Sequence, residues 1–590
     1  MAAHASAKLH ADSAGAERRG ARDRRASGFP RLPACCAVLL ACAVAFAQPT
    51  RSAAVDLPVE AVVVGDRGHG VTAGAGNRLE RFTVEVLAVQ WDAGAGFPLV
   101  LVRAGGPVIE AAGGVAAGMS GSPVYIATES GDALLGAIGY VFPRADHDLA
   151  LVTPISVMRR ASGGTLPPFV EVPGVGVATS AATPVLMTGV SARAATLLAP
   201  LFRSADVAAF PVPGGSSGGA PGGYEEYALE PGAPLAVSLV WGDIAMQAVG
   251  TITAVEGNEV IAFGHPFLGI GPVSMPITPA YVTAIVPSSD VPFKLANVGT
   301  RVLGAIDQDR PGAVSGRIGV VPRSLQVDLS VVGVGPTASY SFSVPADDRL
   351  YPTLVGTGVL SLLDRHLAAT TAGYAEIAWE IGLSSGERVN VIEQTNAPDD
   401  VAYRAAVLAM TPLAILADNE FRESGVDHVS LAVRLEDRQR SASLEEAVAE
   451  EDRVVAGENV LIHLRLQPYR QNAIVRTISV PVPDDVEGEL TVLIRGGDVP
   501  RDTGDADVDE QEVDKPRSFA ELLDALRQQV QASELVVEAI TETGEVRRLF
   551  RTPFAFVIEG NEDLTITVTQ PQPDGAPEPG GSGADGGADG

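Results

Sequence analysis

The sequence predicts a mainly β protein built from several domains, and three observations carry that expectation. At 590 residues the chain exceeds what one hydrophobic core can serve. Its 46% apolar content is that of a folded globular protein, which excludes a disordered chain. Glycine (64 residues) and proline (42) punctuate short runs rich in Val, Ile and Thr, the composition of many strands joined by turns.

The N-terminal segment stands apart. Arg18, Arg19, Arg22, Arg24, Arg25 and Arg31 precede an apolar run from Ala34 to Ala47 that ends Ala45-Phe46-Ala47. A basic region, a short apolar region and a small-x-small site together predict a secretory signal over residues 1–47. The run is too short to span a bilayer comfortably, and no later stretch reads as a spanning helix. The expectation is therefore an exported chain, periplasmic or extracellular, with no transmembrane helix after cleavage. Leu39-Leu40-Ala41-Cys42 loosely resembles a lipoprotein box, although the apolar run continues past Cys42. All three cysteines (Cys35, Cys36, Cys42) fall inside this segment, so the mature chain has neither disulfides nor thiol chemistry.

Residues 55–160 read as a compact β unit. Arg81–Val89 alternates in polarity and Leu99–Val102 is a buried-strand run. Residues 161–234 are rich in Gly, Pro and Ala and read as a bridge. A second β unit follows over 235–320, with Gly257-Asn258 as the turn of a hairpin between 251–255 and 260–263. Residues 321–500 suggest a β-rich accessory domain, with strands near 325–334 and 339–344 and a helix around 401–418. An acidic linker (501–515) leads to residues 516–570, where Ser518-Phe519-Ala520-Glu521 matches a capping box at the start of an amphipathic helix. Residues 571–590, rich in Gly, Asp and Pro, read as a disordered tail.

Cleavage at Ala47 removes seven basic and three acidic side chains, leaving 35 basic against 69 acidic residues and a formal charge of −34. That field repels nucleic acid and anionic membrane surfaces. No H-E-x-x-H, EF-hand, Walker or paired C-x-x-C motif is present, so no metal, nucleotide or other cofactor is expected.

The chemistry-bearing motif is Gly118-Met119-Ser120-Gly121-Ser122-Pro123. A serine nucleophile needs a tight exposed turn with backbone N–H groups aimed at the oxyanion of the tetrahedral intermediate. Glycine before it permits the required dihedrals; glycine after it leaves room for the scissile carbonyl. By analogy with two-barrel serine proteases, the N–H groups of Gly118 and Ser120 are the oxyanion donors. A flexible turn is the bland alternative, but the glycine-rich approach 113–117 and the apolar strand 124–126 embed the motif. Of six histidines in the mature chain, His265 is the best-placed base, past the apolar run 260–263 at a Gly264-His265-Pro266 turn. His147-Asp148 competes, since it lies in the same unit as Ser120.

Together, Gly-Met-Ser-Gly-Ser-Pro at 118–123 and Phe-Gly-His at 263–265 resemble the SpoIVB peptidase family. Supporting matches are Gly250-Thr251-Ile252-Thr253, Gly257-Asn258, Gly271-Pro272-Val273, Phe293-Lys294 and Gly304–Arg310; the similarity covers about 60–160 and 235–320. The resemblance implies a chymotrypsin-like double β-barrel, followed here by C-terminal β-rich α+β domains. It also implies a serine endopeptidase, acting on a protein or peptide substrate in limited, regulatory proteolysis.

Two departures qualify it. Ser120 precedes His265, the reverse of the family's order, as in a permuted module. The family's aspartate before the serine motif is replaced at about Gly105, so the triad acid is sought elsewhere: at Asp309, with Asp307 and Asp243 as further options. The missing acid motivates a rival expectation, a catalytically inactive peptidase-fold binding or scaffold protein of the cell envelope.

Overall fold

The alternation in the serine-bearing unit is real burial. Phe82, Val84 and Val86 point inward from one strand while Arg81, Thr83 and Glu85 lie at or near its outer face. The structure is a computed structural model. It describes residues 54–91, 96–142, 146–160, 169–172, 176–180, 183–203, 209–212, 227–288, 291–501, 515–541 and 546–571. The expected signal segment 1–47 and nearly all of the acidic linker and tail lie outside the described residues. The fold is mainly β, 52% strand against 16% helix.

Six strands close the first barrel: β1 (Arg67–Ala73), β2 (Leu79–Gln90), β3 (Leu99–Gly105), β4 (Pro123–Thr128), β5 (Gly131–Val141) and β6 (Leu149–Pro154). They run antiparallel in the order β1-β2-β3-β6-β5-β4, and β4 returns to pair with β1. Valines and isoleucines from β2 through β6 fill the interior, together with Met119 of the connection from β3 to β4.

The second barrel repeats the plan. Its strands are β7 (Pro234–Gly242), β8 (Ala245–Glu256), β9 (Glu259–Ala262), β10 (Gly271–Val286), β12 (Gly304–Arg310) and β13 (Ala313–Ile318), with β11 (Phe293–Val298) paired only to β10. The ring order β7-β8-β9-β13-β12-β10, closed by β10 on β7, is that of the first barrel strand for strand. Gly257, at φ +62°, turns the β8–β9 hairpin at the Gly-Asn pair. Closure removes the exposed sheet edges that an open β unit would present.

The segment 161–234 is more than a bridge. Gly176–Ser180 pairs with β5, and Val185–Thr188 pairs with β8. Arg193, on a short helix after that strand, binds both Asp364 and Asp400.

The boundary expected at 321–500 also moves. Trp241 and Gly242 of β7 pair with the strand Ala338–Pro345, which carries the sheet on through Ser324–Gly333, Val426–Glu436, Gly373–Leu383 and Arg388–Ala397. Helices Tyr351–Leu367 and Val401–Ala417 pack on this sheet, and their core is continuous with that of the second barrel. The helices cross where Gly356 leaves no room for a Cβ, which would sit 2.2 Å from Met410 Cγ. Among the described residues no helix is long and apolar enough to cross a membrane.

Residues 441–571 form a β-sandwich with a core of its own, but helix Phe519–Arg527 within this segment turns Phe519, Leu522, Leu523 and Leu526 into the core shared by the second barrel and the 324–436 sheet. Asn459–Pro468 alternates exposed and buried positions along its whole length, as a sandwich face requires. Helix Phe519–Arg527 is capped by the Ser518 hydroxyl, which accepts from Glu521 N–H. Instead of returning to Ser518, the Glu521 carboxylate accepts from Arg517 N–H.

Inside the sandwich, Glu538 is fully buried between Arg495 and Arg501, each donating to it at 3.0–3.2 Å. Burial alone would raise its pKa, but the two guanidiniums hold it below the ordinary glutamate range. Stability from this group is therefore present above the unfolded carboxylate pKa and lost as pH falls through the lower folded value. Glu538→Gln is expected to cost about 3 kcal/mol, since it leaves two guanidiniums without their anion. The loss should appear in the unfolding of the 441–571 sandwich by denaturant titration. An unchanged transition there would refute the assignment.

Candidate active site

The serine turn is the connection from the third to the fourth strand of the first barrel. Helix Pro107–Ala112 ends at Gly113 in the left-handed region, and the chain then runs to β4 through Ser120. Each carbonyl from Ala117 to Ser122 is engaged. Ala117 O accepts from Lys294 N–H at 2.9 Å, Met119 O from Ser122 N–H at 2.9 Å, and Ser122 O from Ile138 N–H at 3.1 Å. Thr251 of β8 takes two: its hydroxyl donates to Gly118 O at 2.8 Å, and its N–H donates to Ser120 O at 2.9 Å. The Thr253 hydroxyl donates to Gly121 O at 2.7 Å.

The N–H groups divide differently. Those of Ala117, Met119, Gly121 and Ser122 donate to Pro292, Ala116, Ile138 and Met119 carbonyls. Those of Gly118 and Ser120 donate to no acceptor among the described residues, although both residues are buried. Buried N–H groups without an acceptor are rare in folded proteins. The two left over here are the ones the sequence motif nominates as oxyanion donors.

Gly121 is dictated by space and by dihedral. Its φ is +86°, and a Cβ would fall 2.1 Å from Thr251 O and 2.4 Å from Phe263 N. Through this contact the serine turn lies directly on the backbone that leads to His265.

The histidine loop is the corresponding connection, third strand to fourth, of the second barrel. Phe263 holds φ +73°, a left-handed conformation that a bulky side chain rarely adopts. Barrel one steadies the next residue, since the Thr153 hydroxyl of β6 donates to Gly264 O at 2.6 Å. The His265 ring lies among Phe263 and Tyr140, with centroids 6.1 and 6.4 Å away. Its Nδ1 is 2.7 Å from Pro266 O. A carbonyl can only accept, so Nδ1 carries a proton, and in the neutral ring the lone pair then lies on Nε2, the form a general base needs. Nε2 lies 3.5 Å from the Thr183 hydroxyl, the outer limit of a hydrogen bond.

Among the described residues no hydrogen bond joins the serine and histidine side chains. Ser120 Oγ is enclosed without a hydrogen-bond partner, so the Ser120–His265 bond is absent in this conformation.

Asp309 sits near His265 but serves its loop. Its carboxylate accepts from the N–H groups of Phe267 (2.7 Å), Leu268 (2.7 Å) and Gly269 (2.9 Å). Burial pushes its pKa up, against the opposing pull of those N–H donors. The expectation of Asp309 as triad acid is therefore corrected: its oxygens are committed to backbone, and Nδ1 of His265 meets the Pro266 carbonyl. Asp307 pairs with Arg317 at 3.0 Å, and Asp243 accepts from Ser341 N–H at 2.7 Å; both are bound away from the imidazole. His147 and Gly105 line a different feature, a groove of about 770 Å³ with Arg67, Arg103 and Asp148, which Ser120 does not border.

Sequence reasoning assigned no role to Lys294. Its side chain is fully buried, with Nζ 2.7 Å from the Thr72 hydroxyl and 3.2 Å from that of Thr251. Burial lowers its pKa to about 7. Its carbon stem lies against Gly118, where an added Cβ would sit 3.2 Å away. Among the described residues no group of three or more His, Cys, Asp or Glu side chains is placed to hold a metal ion.

Compared with family models, curated proteins and solved structures, the chain matches none.

Asp309→Asn separates the two roles for that residue. As the holder of the loop, its replacement should cost about 1–3 kcal/mol in thermal or denaturant unfolding. The His265 titration, followed by NMR, should meanwhile move by less than about half a unit. A shift of about one unit or more with stability intact would restore Asp309 to the imidazole.

Proposed function

We propose that this chain is an exported serine endopeptidase of the SpoIVB type, with a chymotrypsin-like double-barrel module that performs limited, regulatory proteolysis. One observation carries the reading: the serine turn spends every carbonyl from Ala117 to Ser122 on the protein and keeps back only the N–H groups of Gly118 and Ser120. Two donors flanking a serine, left for an acceptor from outside, are the parts of an oxyanion hole. The repeated barrel topology supports it further. Ser120 and His265 occupy the same connection, third strand to fourth, in two copies of one barrel.

In this mechanism Ser120 Oγ attacks the substrate carbonyl while His265 Nε2 takes its proton. The oxyanion rests on Gly118 and Ser120 N–H, and His265 then protonates the leaving amine. The Pro266 carbonyl fixes the tautomer that a triad carboxylate would otherwise fix, without contributing its negative charge. Catalysis requires Ser120 Oγ and His265 Nε2 to close the gap between them, a tightening common on substrate binding. The substrate is a protein or peptide outside the cytoplasm, in keeping with the signal-like segment 1–47.

A second reading, an inactive binding or scaffold protein on the same fold, is favoured by the enclosure of Ser120 without a base. Fluorophosphonate labelling of the mature protein decides between them. Labelling that disappears in both Ser120→Ala and His265→Ala is expected, a loss of at least about a hundredfold in rate. A folded wild-type protein that never labels, at any pH from 6 to 9, would establish the scaffold.

A further inference from the structure

We infer that Lys294 and Thr251, both supplied by the second barrel, are positioning residues that preset the oxyanion hole of the first. This rests on Ser120 being the nucleophile.

The peptide bond is planar and trans, so the N–H of one residue points opposite to the C=O of the residue before it. Gly118 N–H belongs to the peptide whose carbonyl is Ala117 O. That carbonyl is held by Lys294 N–H at 2.9 Å, while Ala117 N–H is held by Pro292 O at 2.7 Å. The start of β11 therefore forms a one-residue bridge with the serine turn and aims Gly118 N–H away from itself. Ser120 N–H is aimed in the same manner, because Met119 O is tied to Ser122 N–H.

The side chain of Lys294 completes the arrangement. It donates to Thr251 Oγ1, which in turn donates to Gly118 O. It also donates to Thr72 Oγ1 on β1, so one amine joins strands of both barrels behind the nucleophile. An uncharged amine has two N–H bonds, and two hydroxyls are present to accept them. Burial lowers the amine's pKa to about 7, with no opposing pull from a carboxylate among the described residues. Thr251, for its part, holds the carbonyl of Gly118 through its hydroxyl and that of Ser120 through its N–H. The oxyanion hole of one barrel is thus assembled only when the other is docked.

The test uses Thr251→Val, which removes the hydroxyl at constant shape, with Thr251→Ser as the rescuing variant and Lys294→Met as a second probe. Two readouts are taken on the mature protein: hydrogen exchange of residues 113–122 by mass spectrometry, and the saturation kinetics of fluorophosphonate labelling. Thr251→Val and Lys294→Met should speed exchange in 113–122 selectively. They should also lower the maximal labelling rate about ten- to hundredfold with the half-saturating probe concentration unchanged. Thr251→Ser should return both readouts toward wild type.

Wild-type exchange and labelling in Thr251→Val would overturn the inference, even if Lys294→Met fails to fold. If the wild-type protein does not label, exchange alone decides. Selective loosening of 113–122 then upholds the positioning role while the nucleophile reading falls, and unchanged exchange refutes the positioning role itself.

Discussion

The arrangement of this molecule depends on a docking of backbone on backbone at Gly121. With a Cβ excluded by Thr251 O at 2.1 Å and Phe263 N at 2.4 Å, the serine turn of one barrel lies flat on the strand end that delivers the histidine of the other. Five of the six carbonyls from Ala117 to Ser122, and the N–H groups of Ala117 and Gly121, are then held by Thr251, Thr253, Ile138, Pro292 and Lys294. A chemically ordinary Gly-Met-Ser-Gly-Ser-Pro peptide becomes a rigid element whose free donors are few and defined. Preorganisation of this kind is where electrostatic catalysis gets its advantage over water, because the dipoles need not reorient as charge develops.

The two barrels share a strand order, and each places its motif on the same connection. Geometry at the interface is consequently indifferent to which barrel comes first in the chain. Placing the serine half before the histidine half therefore leaves the juxtaposition of the two loops intact. The later part of the chain is tied to this module to different degrees. Residues 324–436 continue the second barrel's sheet and core, so they stiffen the histidine half directly. The sandwich over 441–571 has a core of its own and is joined to the preceding sheet by helix Phe519–Arg527, whose apolar face enters the larger core.

Much of this was legible in the sequence where the signal is local. Strand alternation within 81–89, the Gly257-Asn258 hairpin, the Ser518 cap and the Gly-x-Ser-Gly turn are each decided by a few consecutive residues. What escaped was decided by distant partners. The helix Tyr351–Leu367 carries two glycines and two threonines, poor helix formers, and is held by its crossing with Val401–Ala417 and burial on the sheet. Lys294 looks like a surface strand residue until Thr72 and Thr251, far away in sequence, enclose it. Asp309 was picked out correctly as close to the histidine loop and given the wrong task. Sequence spacing reports proximity, but it does not say whether a carboxylate meets an imidazole or three amides.

The enclosure of the site bears on what kind of peptidase this would be. Ser120 is wholly buried and His265 is 2% exposed, and Nε2 faces the Thr183 hydroxyl in place of the serine. A nucleophile in this state is reactive only in the fraction of molecules that open, so apparent reactivity falls by that fraction. Every 1.4 kcal/mol by which the closed form is favoured removes a factor of ten. An enzyme designed for bulk digestion gains nothing from that penalty. One that must cut a single partner on cue gains selectivity, because only a substrate whose binding favours the open form restores the rate. Pro266 O acts in the same direction, since it sets the histidine tautomer but offers less stabilisation to an imidazolium than a carboxylate would. On the proposed reading, closure and a tautomer held by a carbonyl in place of a carboxylate favour limited over bulk proteolysis.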